Sequence, residues 1–492
     1  MATTDTRRGT SAGSPRLTPP PPPDAQRLTS RDRMILAVLC AAQFMVALDF
    51  SILNVALPTM GADLGFARAD LQWAITAFAL PSGGLLLLFG RVADLYGRRR
   101  LFLAGLVAFT AASLLAALAW NPASLLAGRA LQGVAAAVIV PAGMSLLTTT
   151  FPEGPQRARA LSVSGALMAL GFTVGMVLGG VLTDAFGWRS TMALLAAAGA
   201  VVTLFAPALL TESRRSGRPR LDVPGAVTIT GGLLSVIYAL STAAEHGFGR
   251  ADVIGALVAG AVLLLLFVWA ESRTEQPLVD LRMLRRRTVS WGILGGLAAF
   301  SMMSSVIFLA TLYLQDVRGM TPMKSGLVFG VIGLAAVAGG IVAPRLVGRF
   351  GAARTLVAGL LVQGLFSSVL LLIDESAAGT WLILTAGSLA CFGHLFAVVS
   401  YGLTVTSGVP DSEQGLATGL VTSAQQVGLT LGIPLLSALS SSRTESLDAD
   451  GSSASEALLG GLRLGMGADA VVLVTVAALV AVGLADKLRA RA

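Results

Sequence analysis

GRVADLYGRRRLFLAG at residues 90–105 and PRLVGRFGAARTLVAG at residues 344–359 align with each other without gaps. The alignment places glycine on glycine at 97 and 351, and arginine on arginine at 91 and 345 and at 100 and 354. Each stretch follows an apolar run long enough to form a membrane-spanning helix. Such a repeat predicts a duplicated helical bundle, the arrangement by which many carriers place a binding site between two halves near the membrane midplane.

The composition points to a membrane protein, because 54% of the 492 residues are hydrophobic and only 13% are charged. About 20 mostly apolar residues cross the hydrocarbon core of a bilayer. Fourteen runs of this kind occur, at 34–56, 71–90, 101–120, 123–147, 160–183, 190–210, 225–242, 252–270, 289–313, 325–347, 353–373, 380–407, 415–438 and 468–486. We therefore expect an all-α membrane protein with 14 transmembrane helices.

The net charge of +8 raises nucleic acid as a partner, but the distribution of the 35 Lys and Arg argues against it. When alternate connections are assigned to opposite sides, 27 of these residues lie on one side and 7 on the other, while Arg129 falls inside a span. Cytoplasmic connections carry such an excess of positive charge. The sequence predicts a multi-pass protein of a bacterial plasma membrane, with both termini cytoplasmic and no nucleic-acid partner.

Two long connections, at 211–225 and 271–290, enclose only two of the predicted spans. The simplest division is two six-helix bundles with an inserted helix pair. The predicted segments are a disordered cytoplasmic tail (1–30), an N-terminal six-helix bundle (31–210), the inserted pair with flanking cytoplasmic loops (211–288), a C-terminal six-helix bundle (289–486) and a cytoplasmic tail (487–492). The polar, Ser-rich stretch 439–467 is expected to be a mobile connection on the outer side.

Asp49 lies within the apolar stretch LDFSILNVALPTM at 48–60. If Pro58 ends the first helix and Pro122 begins the fourth, both on the outer side, Asp49 and Arg129 differ in depth by about 3 Å at a rise of 1.5 Å per residue. A lone charge at this depth costs at least about 2.5 kcal/mol, and pairing across a wet cavity lowers that cost.

Asp49 is the only acidic residue well inside a predicted span, which makes it the leading candidate for a proton carrier. The alternative is a structural ion pair that only fixes helix packing. For Arg129, a structural anchor and a modulator of proton binding both stay open.

Gly90, Asp94, Gly97 and Arg98, followed by two further arginines, resemble the long cytoplasmic signature of the major facilitator superfamily. Several other stretches resemble its fourteen-helix drug:proton antiporter branch: LDFSILNVALP at 48–58, GRALQGVAAAVIVPAG at 128–143, GFTVGMVLGG at 171–180, YLQDVRGMTPMKSGL at 313–327 and GLATGLVTSAQQVGLTLGI at 415–433. The resemblance covers residues 34–486. It implies the major facilitator fold and proton-coupled export of a lipophilic drug, antibiotic or secondary metabolite by alternating access.

The same resemblance implies that Gly90, Asp94, Gly97 and Arg98 form a cytoplasmic gate, with a solvated loop acid as the alternative for Asp94. Gly171, Gly175 and Gly179 recur every four residues and share one helix face, as in the antiporter motif of the fifth helix. Close helix packing alone is the alternative for these glycines. Met176 stands where the family usually has proline, so a kink there is not assumed.

Polar, aromatic and Met side chains in the spans could line a substrate cavity. The candidates are Asn54, Gln132, Phe172, Trp291, Met303, Tyr313, His394 and Gln425, and for each one helix packing or lipid contact is the alternative. Because no second intramembrane acid was expected, the cargo should be neutral, anionic or singly charged. The expected partners are protons, a lipophilic small molecule and the lipid bilayer, with the chain a monomer that holds no cofactor or metal.

Other functional classes fit the sequence less well. The only lysines, Lys324 and Lys487, do not stand in a phosphate-binding loop, which argues against an ATP-driven pump. No HExxH motif occurs, and the one GxSxG match, at 9–13, lies in the predicted disordered tail, so we expect that the protein is not an enzyme. A proton-coupled importer of the same superfamily and a non-transporting membrane sensor remain as alternatives.

Overall fold

The computed structural model describes residues 28–67, 70–151, 155–212, 222–247, 249–274, 281–410 and 414–486, and these ranges contain helices but no strand. The helices are α1 (Ser30–Leu64), α2 (Leu71–Gly84), α3 (Leu86–Tyr96), α4 (Arg98–Ala117), α5 (Pro122–Thr150), α6 (Pro155–Phe186), α7 (Arg189–Leu209), α8 (Val223–His246), α9 (Ala251–Glu271), α10 (Leu281–Leu284), α11 (Arg287–Leu312), α12 (Pro322–Phe350), α13 (Ala352–Val369), α14 (Ala377–Thr406), α15 (Gln414–Ala449) and α16 (Ala454–Gly483). A π-helical turn, Tyr313–Val317, continues α11, and a 3-10 turn, Leu370–Leu372, continues α13.

Thirteen helices of the described part are long and apolar enough to cross a membrane. The remaining predicted span, 71–90, is divided at Leu85 between α2 and α3, which have 14 and 11 residues. All predicted spans therefore coincide with helices, although the number fourteen itself stays a prediction. Both predicted terminal tails lie almost wholly outside the described residues.

The repeated stretches adopt the same local structure. Gly97 ends α3 and precedes α4 with φ of 108°, and Gly351 ends α12 and precedes α13 with φ of 87°. A positive φ in this range strains residues that have a Cβ, so glycine is favoured at both turns. The repeat in the sequence thus corresponds to a repeated helix–turn–helix.

The helices pack into two groups. In the first group, α1 packs on α6, α2 and α4 both pack on α5, and α4 also packs on α7. In the second group, α12 and α13 both pack on α14, α11 packs on α15, and α16 packs on α13 and α15. The inserted helices α8 and α9 pack on each other, and α8 also contacts α2 and α15. The exact domain boundaries stay a prediction.

Two expectations about helix ends were wrong. Pro58 does not end the first helix, since α1 continues through it to Leu64, where Gly65 caps it in the left-handed conformation. The stretch 439–467 is mostly helical: α15 extends to Ala449, and α16 begins at Ala454 behind a Ser453 capping box. Helix capping and helix packing stabilise these helices although the residues are polar. A hydropathy pattern reports neither effect.

The face of α6 that carries Gly171, Gly175 and Gly179 packs against α1. A Cβ on Gly171 would lie 2.8 Å from the carbonyl oxygen of Phe44, and one on Gly175 would lie 2.9 Å from that of Leu48. Real Cβ atoms do not approach carbonyl oxygens so closely, so these helices can meet only through glycine. Around Met176, α6 is a continuous helix.

The α6 glycines allow a matched pair of substitutions. Gly175→Ala should destabilise the protein by about 1–3 kcal/mol, because the added methyl group overpacks the contact with α1. Gly165→Ala in the same helix should be neutral or stabilise by up to about 1 kcal/mol, because no atom lies within 4 Å of its Cβ position and alanine favours the helix. Thermal unfolding in detergent can be followed with a thiol-reactive dye, since Cys40 and Cys391 are both buried and free. Equal melting temperatures for the two variants would contradict the close α1–α6 contact.

Candidate functional site: a buried ion pair between helices

Asp49 on α1 and Arg129 on α5 form an ion pair inside the first helix group. Arg129 Nη1 lies 2.6 Å from Asp49 Oδ1, and the two side chains are 1% and 0% exposed. The predicted common depth is therefore confirmed as a direct contact. Because both side chains are inaccessible to solvent in this conformation, the attraction between the charges acts at low dielectric.

Neutral groups also hold the guanidinium of Arg129. Its Nε donates a hydrogen bond to the carbonyl oxygen of Ala74 on α2 (3.0 Å), and Nη1 donates to Gln132 Oε1 (2.9 Å). Gln132 Nε2 in turn donates to the hydroxyl of Ser113 on α4 (2.8 Å). The network therefore joins α1, α2, α4 and α5 around one charge, and it gives Gln132 a position in the site.

Aromatic rings border the ion pair. The guanidinium carbon of Arg129 lies 4.5 Å from the centre of the Phe78 ring, a cation–π contact. Phe50, next to Asp49, is 6.3 Å from both the Phe78 and the Phe172 rings. Of the predicted cavity residues, Phe172 thus lies near the pair. The apolar border keeps the charges out of water and makes any change in their protonation costly.

Two acceptor oxygens of α1 are left without a hydrogen-bond partner among the described residues. They are Asp49 Oδ2 and Asn54 Oδ1, and both are buried. The Asn54 amide donates only to its own helix, at the carbonyl oxygen of Phe50 (2.9 Å). The free oxygen of Asp49 is where a proton can bind without displacing Arg129 from the other oxygen.

The remaining predicted cavity residues lie away from this pair, in the second helix group. The Tyr313 hydroxyl donates to the Asp374 carbonyl oxygen (2.5 Å), Trp291 packs against Gly483, Met303 lines a small apolar cavity, and His394 Nδ1 faces Gln363 Oε1 at 3.3 Å. Gln425 is half-buried on α15. In this conformation the structure does not bring them together with Asp49, and their role in a substrate cavity stays a prediction.

The predicted gate residues surround the turn at Gly97. The side chain of Asp94 lies outside the described part of the structure. Sequence reasoning missed Glu212, whose carboxylate accepts hydrogen bonds from the backbone N–H groups of Arg99 (3.2 Å) and Arg100 (3.3 Å) at the start of α4. A carboxylate stabilises the positive end of a helix dipole. In the sequence, the available signal was the position of Glu212 directly after α7 and beside an arginine cluster.

Asp469 is a second intramembrane acid, and the expectation that Asp49 is the only one was wrong. The last helix was predicted over 468–486, which placed Asp469 at its edge. Because α16 begins at Ala454, Asp469 is the sixteenth of its 30 residues, and its side chain is fully buried. The inference about cargo charge that depended on a single acid therefore loses its basis.

Repeated helix groups that span a membrane and enclose a buried charge pair are typical of a membrane transporter. The family model described as Major Facilitator Superfamily matches residues 39–433, and the chain belongs to this superfamily.

Proteins similar to this chain include exporters from actinomycetes. The cephamycin export protein CmcT of Amycolatopsis lactamdurans is 39% identical over 428 residues, which cover 86% of this chain and 88% of that protein. The puromycin resistance protein pur8 of Streptomyces alboniger is 38% identical over 420 residues, which cover 84% and 83% of the two chains. A solved POT family transporter in complex with a thioalcohol-conjugated peptide has the same fold, with a TM-score of 0.69 at 12% identity over 92% of this chain and 96% of that one.

Removing one member of the ion pair should harm the protein more than removing both charges. Arg129→Gln leaves Asp49 buried without a counter-ion and should destabilise by about 3–5 kcal/mol. Asp49→Asn combined with Arg129→Gln leaves no charge in the site and should recover part of that loss. Melting temperature and the monodisperse fraction after purification report both effects. A double variant that is no more stable than Arg129→Gln would contradict the pairing as an energetic unit.

Proposed function

We propose that the chain is a proton-coupled antiporter that exports a lipophilic antibiotic or secondary metabolite across the plasma membrane by alternating access. The observation that carries the proposal is the fully buried Asp49–Arg129 pair, in which one carboxylate oxygen is free to take up a proton. Membership of the superfamily and the similarity to cephamycin and puromycin resistance exporters support the direction of transport.

Protonation of Asp49 would weaken the pair and take away the counter-ion of Arg129, but not the neutral partners of its guanidinium. The guanidinium keeps its bonds to Ala74 and Gln132 and its contact with the Phe78 ring. A proton that binds from one side of the membrane and leaves toward the other then changes the attraction between α1 and α5 at each half of the cycle. Asp49 is the proton carrier in this proposal, and Arg129 is the group that sets its affinity for protons.

Hydrogen bonds across the two helix groups support alternating access. Gln315 Nε2 donates to the Val55 carbonyl oxygen (2.8 Å), in the third of α1 nearest the predicted outer side. Nearer the middle of the helices, Thr430 Oγ1 donates to the Ala79 carbonyl oxygen (3.1 Å). Rocking of the groups would break the outer contact and open the site outward. Gly90, Asp94, Gly97 and Arg98, together with Glu212, would then close the cytoplasmic side.

A susceptibility panel in a pump-deficient host tests direction and substrate class together. Expression of the chain should raise resistance to puromycin or a cephamycin, and Asp49→Asn should abolish that gain while leaving the protein inserted. Asp63→Asn is the matched control, because Asp63 lies on the same helix with its side chain 48% exposed. Uptake into inside-out vesicles under an imposed pH gradient separates export from import. Normal resistance with Asp49→Asn would remove the assigned carrier.

A further inference from the structure

Asp469 differs from Asp49 in having no counter-ion. Both of its carboxyl oxygens are buried without a hydrogen-bond partner among the described residues, and the polar group that faces it is the Ser367 hydroxyl on α13. The helices are close at this level, since a Cβ on Gly364 would lie 3.4 Å from the carbonyl oxygen of Ala470. A second carboxyl group is therefore enclosed in the second helix group, and the ion-pair mechanism does not use it.

Charged and titratable groups occur on α16 itself and toward the ends of the elements that pack against it. They are Arg287 on α11, Tyr313 and Asp316 in the π-helical turn, Arg354 on α13, Arg443, Glu445 and Asp448 on α15, and Glu456 and Arg463 on α16 itself. Arg463, six residues before Asp469, donates from Nε and Nη2 to the Ile373 carbonyl oxygen at 2.8 and 2.6 Å. Its guanidinium is therefore held by a backbone oxygen.

An ionised carboxylate in this position would cost several kcal/mol, because neither water nor a cation compensates it. The neutral acid avoids that cost. Asp469 is thus held as a carboxylic acid in the same conformation in which Asp49 is matched by Arg129. Of the two buried acids, Asp49 faces a cation and Asp469 does not.

Other buried polar groups extend from Asp469 into the second helix group. Gln363 lies one turn from Ser367 on the same face of α13, and its amide donates to the Ala299 carbonyl oxygen (3.2 Å) while its oxygen faces His394 Nδ1. All four side chains, Asp469, Ser367, Gln363 and His394, are at most 7% exposed. A purely apolar bundle would pack without these polar side chains. The row gives water and protons polar partners along a path toward α14.

We infer that Asp469 is a second proton-binding site of the transporter, which holds a proton in this conformation and exchanges it with water along the polar row during the cycle. This inference rests on the proposed function, because it assigns a second proton to the same exchange. The step is a simple dissociation, in which the Asp469 O–H bond breaks and the proton passes to water.

Infrared spectroscopy on the full chain in liposomes tests the protonation directly. The carboxylic-acid C=O band at neutral pH should be present in the wild type and in Asp49→Asn, should be lost in Asp469→Asn, and should shift after equilibration in D₂O. Ser367→Ala, which keeps Asp469 but removes its facing hydroxyl, should move the band and serves if Asp469→Asn does not insert. An identical band in wild type and Asp469→Asn, or a band that never shifts in D₂O, would overturn the inference.

A transport measurement tests whether Asp469 contributes to proton-driven transport. Under an imposed pH gradient, Asp469→Asn vesicles should accumulate puromycin several-fold less than the wild type, while gradient-free exchange of puromycin is retained. Equal accumulation in the two proteins would overturn the second site while leaving Asp49 as carrier. If the wild type itself accumulates no puromycin with the gradient, the proposed function fails for this substrate, and the infrared result still decides whether Asp469 carries an exchangeable proton.

Discussion

The attraction between Asp49 and Arg129 is the constraint on which the first helix group depends. Two charges removed from water are tolerated only if each faces the other with good geometry and the remaining donors are satisfied. The structure gives the pair a 2.6 Å contact and gives Arg129 neutral acceptors from α2 and α5, while Asp49 Oδ2 is left without a partner among the described residues. Because the acceptors belong to different helices, a change in the charge of Asp49 alters how those helices hold together. An apolar pair of the same size would fix the helices but could not respond to a proton.

Close packing of α6 transmits that response to the second helix group. One face of α6 meets α1 through Gly171 and Gly175, and the opposite contact is with α12, where a Cβ on Gly326 would lie 2.8 Å from the Met176 carbonyl oxygen. Helices in such contact have no soft side chains between them to absorb a displacement. In the proposed cycle, a shift of α1 would therefore be passed to α12 through these backbone contacts. Met176, where proline is usual in the family, leaves α6 unbroken for this purpose.

Much of the architecture could be predicted from the sequence, because a bilayer demands long apolar helices and the repeat at Gly97 and Gly351 needs a backbone conformation that glycine favours. The pairing of Asp49 with Arg129 could also be predicted, because Pro58 and Pro122 were assigned to the same side of the membrane. Counted from the observed end of α1 at Leu64, Asp49 would lie about 12 Å deeper than Arg129, so Pro58 marked the right depth although the helix continues through it. The polar outer ends of α15 and α16 were missed, as capping and helix–helix packing leave no trace in hydropathy. That error hid Asp469, and the partners of His394 and Tyr313 were equally invisible because they come from segments distant in sequence.

The placement of the two acids has a consequence for the cycle. In this conformation the charges buried at Asp49 and Arg129 cancel, and a neutral Asp469 adds nothing to them. If the Asp49–Arg129 contact opens, each charge loses its partner. A proton on Asp49 neutralises that side chain but leaves the Arg129 cation uncompensated, so water must reach the site. If Asp469 loses its proton, the second helix group contains a buried charge with the same energetic cost, unless water hydrates its polar row. In the proposed cycle, each acid can therefore change state only in a conformation that admits water on one side, and this requirement would couple proton movement to the rocking of the helix groups without any direct contact between the two sites.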